Sequence, residues 1–114
     1  MQITNLEKIP AVKCVLPPPP DAHEVTAAFT SDLLSDVMGH SPADSVLITI
    51  QAHATTVAVS IVADIRAILI CSSRPIPEDM IAAARKEGIA LYVTELDQYH
   101  ASLAVAPLLG DLPA

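Results

Sequence analysis

The sequence predicts a single three-layer α/β domain with a mainly parallel sheet flanked by helices. Three observations carry this. From about residue 25 onward, strand-like and helix-like segments alternate, as a parallel sheet with covering helices requires. Two strand candidates, "SVLITI" (45–50) and "RAILIC" (66–71), are nearly continuous aliphatic runs, suited to strands covered on both faces. The segment "PEDMIAAARKEG" (77–88) is punctuated as a helix at both ends. Proline and acids fill its first turn, bases its last, and Gly88 takes the C-terminal cap position.

The elements follow in chain order. "TNLEKI" (4–9) reads as a short helix capped by Thr4, and "AVKCVL" (11–16) as a short strand. "PPPPD" (17–21) imposes a stiff extended connection. "HEVTAAF" (23–29) is the next strand. "SDLLSDVMG" (31–39) is a helix capped by Thr30 or Ser31. It places Leu33, Leu34, Val37 and Met38 on one face and stops at Gly39. "ATTVAVSIVADI" (54–65) holds β-branched residues that favour a strand. Yet Ala54, Ala58, Ile61 and Ile65 follow helical spacing, and a helix is the expectation. "IALYVT" (89–94) is a strand. Asp97 caps a last helix, "QYHASLAVA" (98–106), which Pro107 kinks or ends. Residues 1–24 form an N-terminal helix, strand and proline-rich connection; residues 25–114 form the main α/β unit.

A chain of 114 residues is one domain by length. Hydrophobic residues make up 52% of it but aromatics only 3%, so the core is aliphatic. A small domain this apolar leaves an apolar patch exposed, which implies a homodimer; a well-packed monomer is the alternative. The formal charge of −7 argues against nucleic acid, whose phosphates need a basic footprint, and against an anionic membrane surface. No apolar stretch is long enough to span a bilayer. "MQITNLEKIP" lacks the basic-then-apolar pattern of a signal peptide, and the expected location is the cytoplasm. Cys14 and Cys71 lie in apolar runs and read as buried thiols, not a disulfide. The only glycines are Gly39, Gly88 and Gly110. That excludes a P-loop and a dinucleotide fingerprint, so neither a P-loop kinase nor a Rossmann dehydrogenase is expected. No cofactor is implied.

Polar residues cluster after the strands. Thr30, Ser31 and Asp32 follow the second strand candidate, and Gln51 and His53 the third. Ser72, Ser73 and Arg74 follow the fourth, Thr94 and Glu95 the fifth. In a parallel sheet these sets share the carboxyl edge, where α/β sheets bind ligands at the crevice of reversed strand order. Ser31, Asp32, Gln51, His53, Ser72, Ser73 and Arg74 are the candidate ligand residues, for a small anionic ligand such as a nucleotide. Helix N-termini on that edge would favour an anion too. Structural roles compete. Ser31 and Asp32 can cap a helix, Gln51 and His53 can satisfy loop backbone, and Ser72 and Ser73 suit a turn. Arg74 can pair with Glu78 or Asp79. Catalysis is the weaker alternative. Cys71 with His53 would make a thiol–imidazole pair, but Cys71 ends a buried run, where thiols are inert. His23, His40, His53 and His100 show no zinc spacing. Asp32 and Asp36 share a helical face that could hold a cation or simply be solvated.

The stretches "SDLLSDVM", "VLITIQAHATTVAVSI" and "AILICSSRPIPEDMIAAARKEGIALYVTEL", with the spacing between them, resemble the DRTGG domain over roughly residues 25 to 106. More narrowly, the chain looks like the short stand-alone DRTGG proteins, often encoded near iron-only hydrogenases. The resemblance implies an α/β fold similar to the N-terminal domain of HPr kinase/phosphorylase, and a regulatory or dimerisation role without established catalysis. Such domains also accompany CBS domains in family II pyrophosphatases, where nucleotide binding is linked chiefly to the CBS partners. Two departures stand out. The Asp-Arg-Thr-Gly-Gly signature is absent, and the turn Cys71-Ser72-Ser73-Arg74 has no glycine. Without glycine the turn is expected to lose the positive-φ freedom that a backbone anion nest needs. The competing expectation is an interaction module whose apolar face recruits an enzyme of a redox or hydrogenase system. A small enzyme using His53 or Cys71 comes last.

Overall fold

The computed structural model describes residues 1–111 and bears out the three-layer α/β reading. The last three residues of the expected 25–114 unit lie outside the described part. The chain opens with Ile3–Lys8, a 3₁₀ helix. Three residues per turn bring Ile3 and Leu6 onto one line, and both are buried. Thr4 is therefore not its cap; Gln2 holds that position, without a side-chain bond. Strand β1, Val12–Leu16, follows. The chain then crosses to the far edge for β2, Ala27–Thr30. Only the second half of the expected 23–29 strand is sheet. Val25 ahead of it is buried and bonds through its N–H to the Met1 carbonyl.

Helix α1 covers Leu34–His40, β3 Ser45–Thr49, α2 Ala54–Val62 and β4 Ile65–Ile70. Helix α3 covers Glu78–Glu87, β5 Ala90–Thr94 and α4 Gln98–Val105, before a final 3₁₀ turn at Ala106–Leu109. The sheet order is β1-β5-β4-β3-β2. Strands β2 to β5 are parallel and lie side by side in chain order; β1 is antiparallel to β5. Crossovers between successive neighbours leave α1, α2 and α3 on one face. There Val37, Val57, Met80 and Ala84 pack on Leu47, Ile68, Ile70 and Leu91. The first 3₁₀ helix and α4 cover the other face, where Leu6, Ala101 and Val105 pack on Val46, Leu69 and Tyr92. With a middle layer covered on both sides, β3 has no exposed residue, as its unbroken apolar run predicts.

Helices α3 and α4 match their punctuation. Gly88 takes the left-handed conformation (φ 71°) that closes α3, and Ile89 N–H reaches back to the Ala84 carbonyl. Asp97 caps α4, its carboxylate accepting from His100 N–H at 2.8 Å. Elsewhere the structure corrects the sequence reading. Helix α1 starts at Leu34 behind an uncapped Leu33, and Gly39 lies inside its last turn. Leu33 is extended (φ −89°, ψ 102°), so helical spacing does not carry its side chain inward. A short helix at the sheet edge buries only Val37, and Leu33 and Met38 stand exposed. Segment 54–62 is helical as expected, but its buried stripe is Thr56, Val57, Val59 and Ser60. The hydroxyls are tolerated inside because Thr56 donates to the Gln51 carbonyl (2.6 Å) and Ser60 to the Thr56 carbonyl (2.7 Å). Asp64, at φ 56°, ends the segment, so Ile65 belongs to β4 and not to the helix face. Cys71 is buried, but Cys14 is exposed, because β1 is an edge strand with one neighbour.

Candidate functional site

The four parallel strands never reverse order, so no crevice arises in the way the sequence reading expects. The connections nevertheless part. Strand β4 leads to α3 on one face, and β5 leads to α4 on the other. A cleft of about 480 Å³ opens between their carboxyl ends. The β4–α3 turn supplies Ser73, Arg74, Pro75 and Ile76, and the end of β5 supplies Val93, Thr94 and Glu95. The third wall is Pro10, Ala11, Lys13 and Val15. These reach the site because β1 runs antiparallel and so begins at this edge, with Lys13 paired opposite Val93.

Lys13 is the residue that the sequence reading misses. The signal was present. The short stretch Pro17 to Thr26 contains no helix, and a parallel neighbour needs a crossover of about a dozen residues or more. Strand β1 therefore had to lie antiparallel or distant.

The turn after β4 takes an unexpected form. Ser72 (φ 59°) and Ser73 (φ 53°) are both left-handed, although neither is glycine. The expectation that serine forgoes this conformation is overturned. The reason lies in the bonds it permits: Ser72 N–H donates to the Leu96 carbonyl (2.8 Å) and Ser73 N–H to the Thr94 carbonyl (2.9 Å). The turn is stitched to the end of β5 and to Leu96 just beyond it, and its amides are spent there. A backbone anion nest is thus absent at Ser72 and Ser73, because the donors are occupied and not because the conformation is missing.

Arg74 follows this turn with an exposed side chain. It does not pair with Glu78 or Asp79; the Asp79 carboxylate instead accepts from Met80 N–H at 2.9 Å. Among the described residues the ion pair is Arg66–Asp44, and two imidazoles bond carboxylates, His40 to Asp36 and His100 to Asp97. Lys13, Arg74 and Glu95 share one cleft, and none of them neutralises another. A second hollow of about 370 Å³ lies on the other side of Arg74 and Pro75, where His53, Ile50, Ala52 and Pro77 complete it.

The remaining candidates converge elsewhere. The Asp32 carboxylate accepts from Thr49 Oγ1 (2.9 Å), Ile50 N–H (3.0 Å) and Gln98 Nε2 (3.0 Å), all through one oxygen. Gln51 Nε2 donates to the Asp32 carbonyl at 3.1 Å, and Ser31 Oγ accepts from Leu33 N–H at 3.1 Å. These groups tie β2, β3 and α4 together and do not line the cleft. Ser72 lines neither hollow. Burial, reinforced by the Asp32 and Asp97 carboxylates, pushes the Cys71 thiol up to about 12. A thiol held neutral in this way is no nucleophile at neutral pH. Among the described residues, no three His, Cys, Asp or Glu side chains gather to hold a metal ion. No described helix is long and apolar enough to cross a membrane.

No protein-family model matches the chain, and no curated protein matches it. A solved structure does: the CBS and DRTGG domains of the regulatory region of Clostridium perfringens pyrophosphatase, complexed with the activator diadenosine tetraphosphate. The TM-score is 0.69 at 12% identity, covering 98% of this chain and 47% of that one. The likeness is one of fold, and the chain spans less than half the length of that neighbour.

Proposed function

We propose that this protein is a non-catalytic regulatory module of DRTGG type that binds a small anionic ligand in the cleft between β4 and β5. One observation carries the reading. Lys13 and Arg74, two of only six bases in a chain of charge −7, line one cleft without an ion-pair partner among the described residues. Cations held in a concave wall concentrate anions locally even when the molecule as a whole repels them. The fold likeness to a regulatory region bound to an activator supports a sensing role, and nucleotides accordingly belong among the probes. Ser73, Arg74, Thr94 and Lys13 would hold the ligand.

The test is calorimetric titration and thermal shift with phosphate, ADP, diadenosine tetraphosphate and small carboxylates. Ligand at about 100 times its Kd stabilises the fold by about 2.7 kcal/mol. Binding should be lost in Arg74→Ala and weakened in Lys13→Ala, and retained in Gln51→Ala. Binding that survives both cationic substitutions and vanishes in His53→Ala would move the site to the second hollow.

A second reading rests on the exposed apolar side chains of the helical face, Leu33, Met38, Ile61 and Val62. Exposed apolar side chains of this kind suit a second copy of the chain, or an enzyme partner of a redox or hydrogenase system. Sedimentation of the wild type against Met38→Glu/Val62→Glu tests the homodimer. A monomer at all concentrations in the wild type would remove it.

A further inference from the structure

We infer that the ligand of the β4–β5 cleft is a zwitterion with an aliphatic body, of the free α-amino acid class. The inference rests on the reading of this cleft as an anion site and narrows it. Its basis is the coexistence of opposite, unpaired charges in one small space. Lys13 and Arg74 offer two cationic groups, and Glu95 offers a carboxylate. None of the three is engaged in an ion pair among the described residues, although all share the lining. A purely anionic ligand would satisfy the cations and meet repulsion from Glu95. A zwitterion satisfies both signs. Its carboxylate goes to Lys13 and Arg74, and its ammonium to Glu95, each contact being a charge-assisted hydrogen bond.

The rest of the lining fits the same chemistry. Val15, Ile76 and Val93 give an aliphatic wall. The three aromatic residues of the chain lie elsewhere: Phe29 is in β2, Tyr92 is buried, and Tyr99 projects from α4. A flat base would find no ring to stack on, whereas a hydrocarbon side chain finds a matching surface. A space of about 480 Å³ falls in the range of small-molecule sites.

The experiment is calorimetric titration of the full chain with leucine, 4-methyl-2-oxopentanoate, 3-methylbutylamine and ADP. The 2-oxo acid replaces the ammonium-bearing carbon, and the amine lacks the carboxylate. Leucine should bind, and each truncated analogue should bind roughly tenfold more weakly or worse. Glu95→Gln should weaken leucine by a similar factor and leave the 2-oxo acid unchanged or tighter. Glu95 is exposed, so this variant should melt with the wild type. The 2-oxo acid binding as tightly as leucine would overturn the zwitterion and keep the anion site. So would ADP binding that depends on Arg74 and improves in Glu95→Gln. If no probe binds, and phosphate does not either, the anion site falls with it.

Discussion

At the scale of single residues, the turn Ser72-Ser73 shows how local preference yields to tertiary bonding. A left-handed L-residue costs about 1–2 kcal/mol, while glycine carries an entropic cost of roughly 0.5–1 kcal/mol. Ser72→Gly or Ser73→Gly should therefore stabilise the protein by about 0.5–1 kcal/mol each, read from the midpoint of urea unfolding at unchanged slope. A loss of stability would mean that the hydroxyls hold the turn. Sequence reasoning could not foresee this conformation, because the compensating acceptors, the Thr94 and Leu96 carbonyls, come from the end of β5 and the residues just beyond it, some twenty residues away. The two thiols form another residue-scale contrast. Cys14 is exposed and Cys71 is not, and burial lifts the Cys71 thiol to about 12 against an ordinary value of 9.0. A native-state thiol titration at pH 8 should report one reactive group, and denatured protein two. The same shift sets a pH dependence. Above pH 9 the unfolded chain releases the Cys71 proton while the folded chain keeps it, so the folded state binds more protons. The contribution of this thiol to stability is complete below about pH 9 and is lost as pH rises toward 12.

At the scale of elements, punctuation at helix ends was readable and packing was not. The acids, bases and Gly88 of α3 and the Asp97 cap of α4 are local signals, and both helices form where those signals stand. The buried stripe of α2 is not legible because Thr56 and Ser60 look polar in sequence, yet Thr56 finds the Gln51 carbonyl just ahead of the helix and Ser60 the Thr56 carbonyl within it. Asp32 follows the same logic between elements. From the β2–α1 connection it accepts from the last residue of β3, from the amide beyond it, and from the first residue of α4. Truncation leaves Thr49 Oγ1 and Ile50 N–H without their acceptor, at about 1–3 kcal/mol for each buried group. Asp32→Ala should thus destabilise the fold by about 2–6 kcal/mol in chemical unfolding. Affinity at the β4–β5 cleft, measured where the variant is folded, should stay unchanged. A stable Asp32→Ala protein that no longer binds would place the ligand on the α4 side instead.

At the scale of the whole molecule, the fold class was legible because alternation of strand and helix constrains topology strongly. The candidate site was half legible. Ser73 and Arg74 were readable as residues that follow a buried strand. For Lys13 the short 17–26 connection signals only that β1 is antiparallel or distant; its pairing with β5, which brings Lys13 to the cleft, is a tertiary outcome. Strand β1 also ties residues 1–24 to the rest. Ile3, Leu6, Ile9 and Val12 are buried in the same cluster as Leu69 and Tyr92. Burying one such side chain contributes about 1.5–3 kcal/mol, so these four account for roughly 6–12 kcal/mol. That sum is comparable with the whole stability of a small domain, about 5–15 kcal/mol. The ladder between β1 and β5 is lost with them, and β5 becomes a bare edge. A chain lacking residues 1–24 should therefore show no cooperative urea transition and should bind a hydrophobic dye in buffer. The comparison is informative because the cleft loses a wall in the same deletion. If residues 25–114 unfold cooperatively on their own, the N-terminal segment is an attachment to a finished domain. Lys13 then reaches the cleft from outside the fold, and its contribution to binding could be restored by adding the segment 1–24 as a separate peptide.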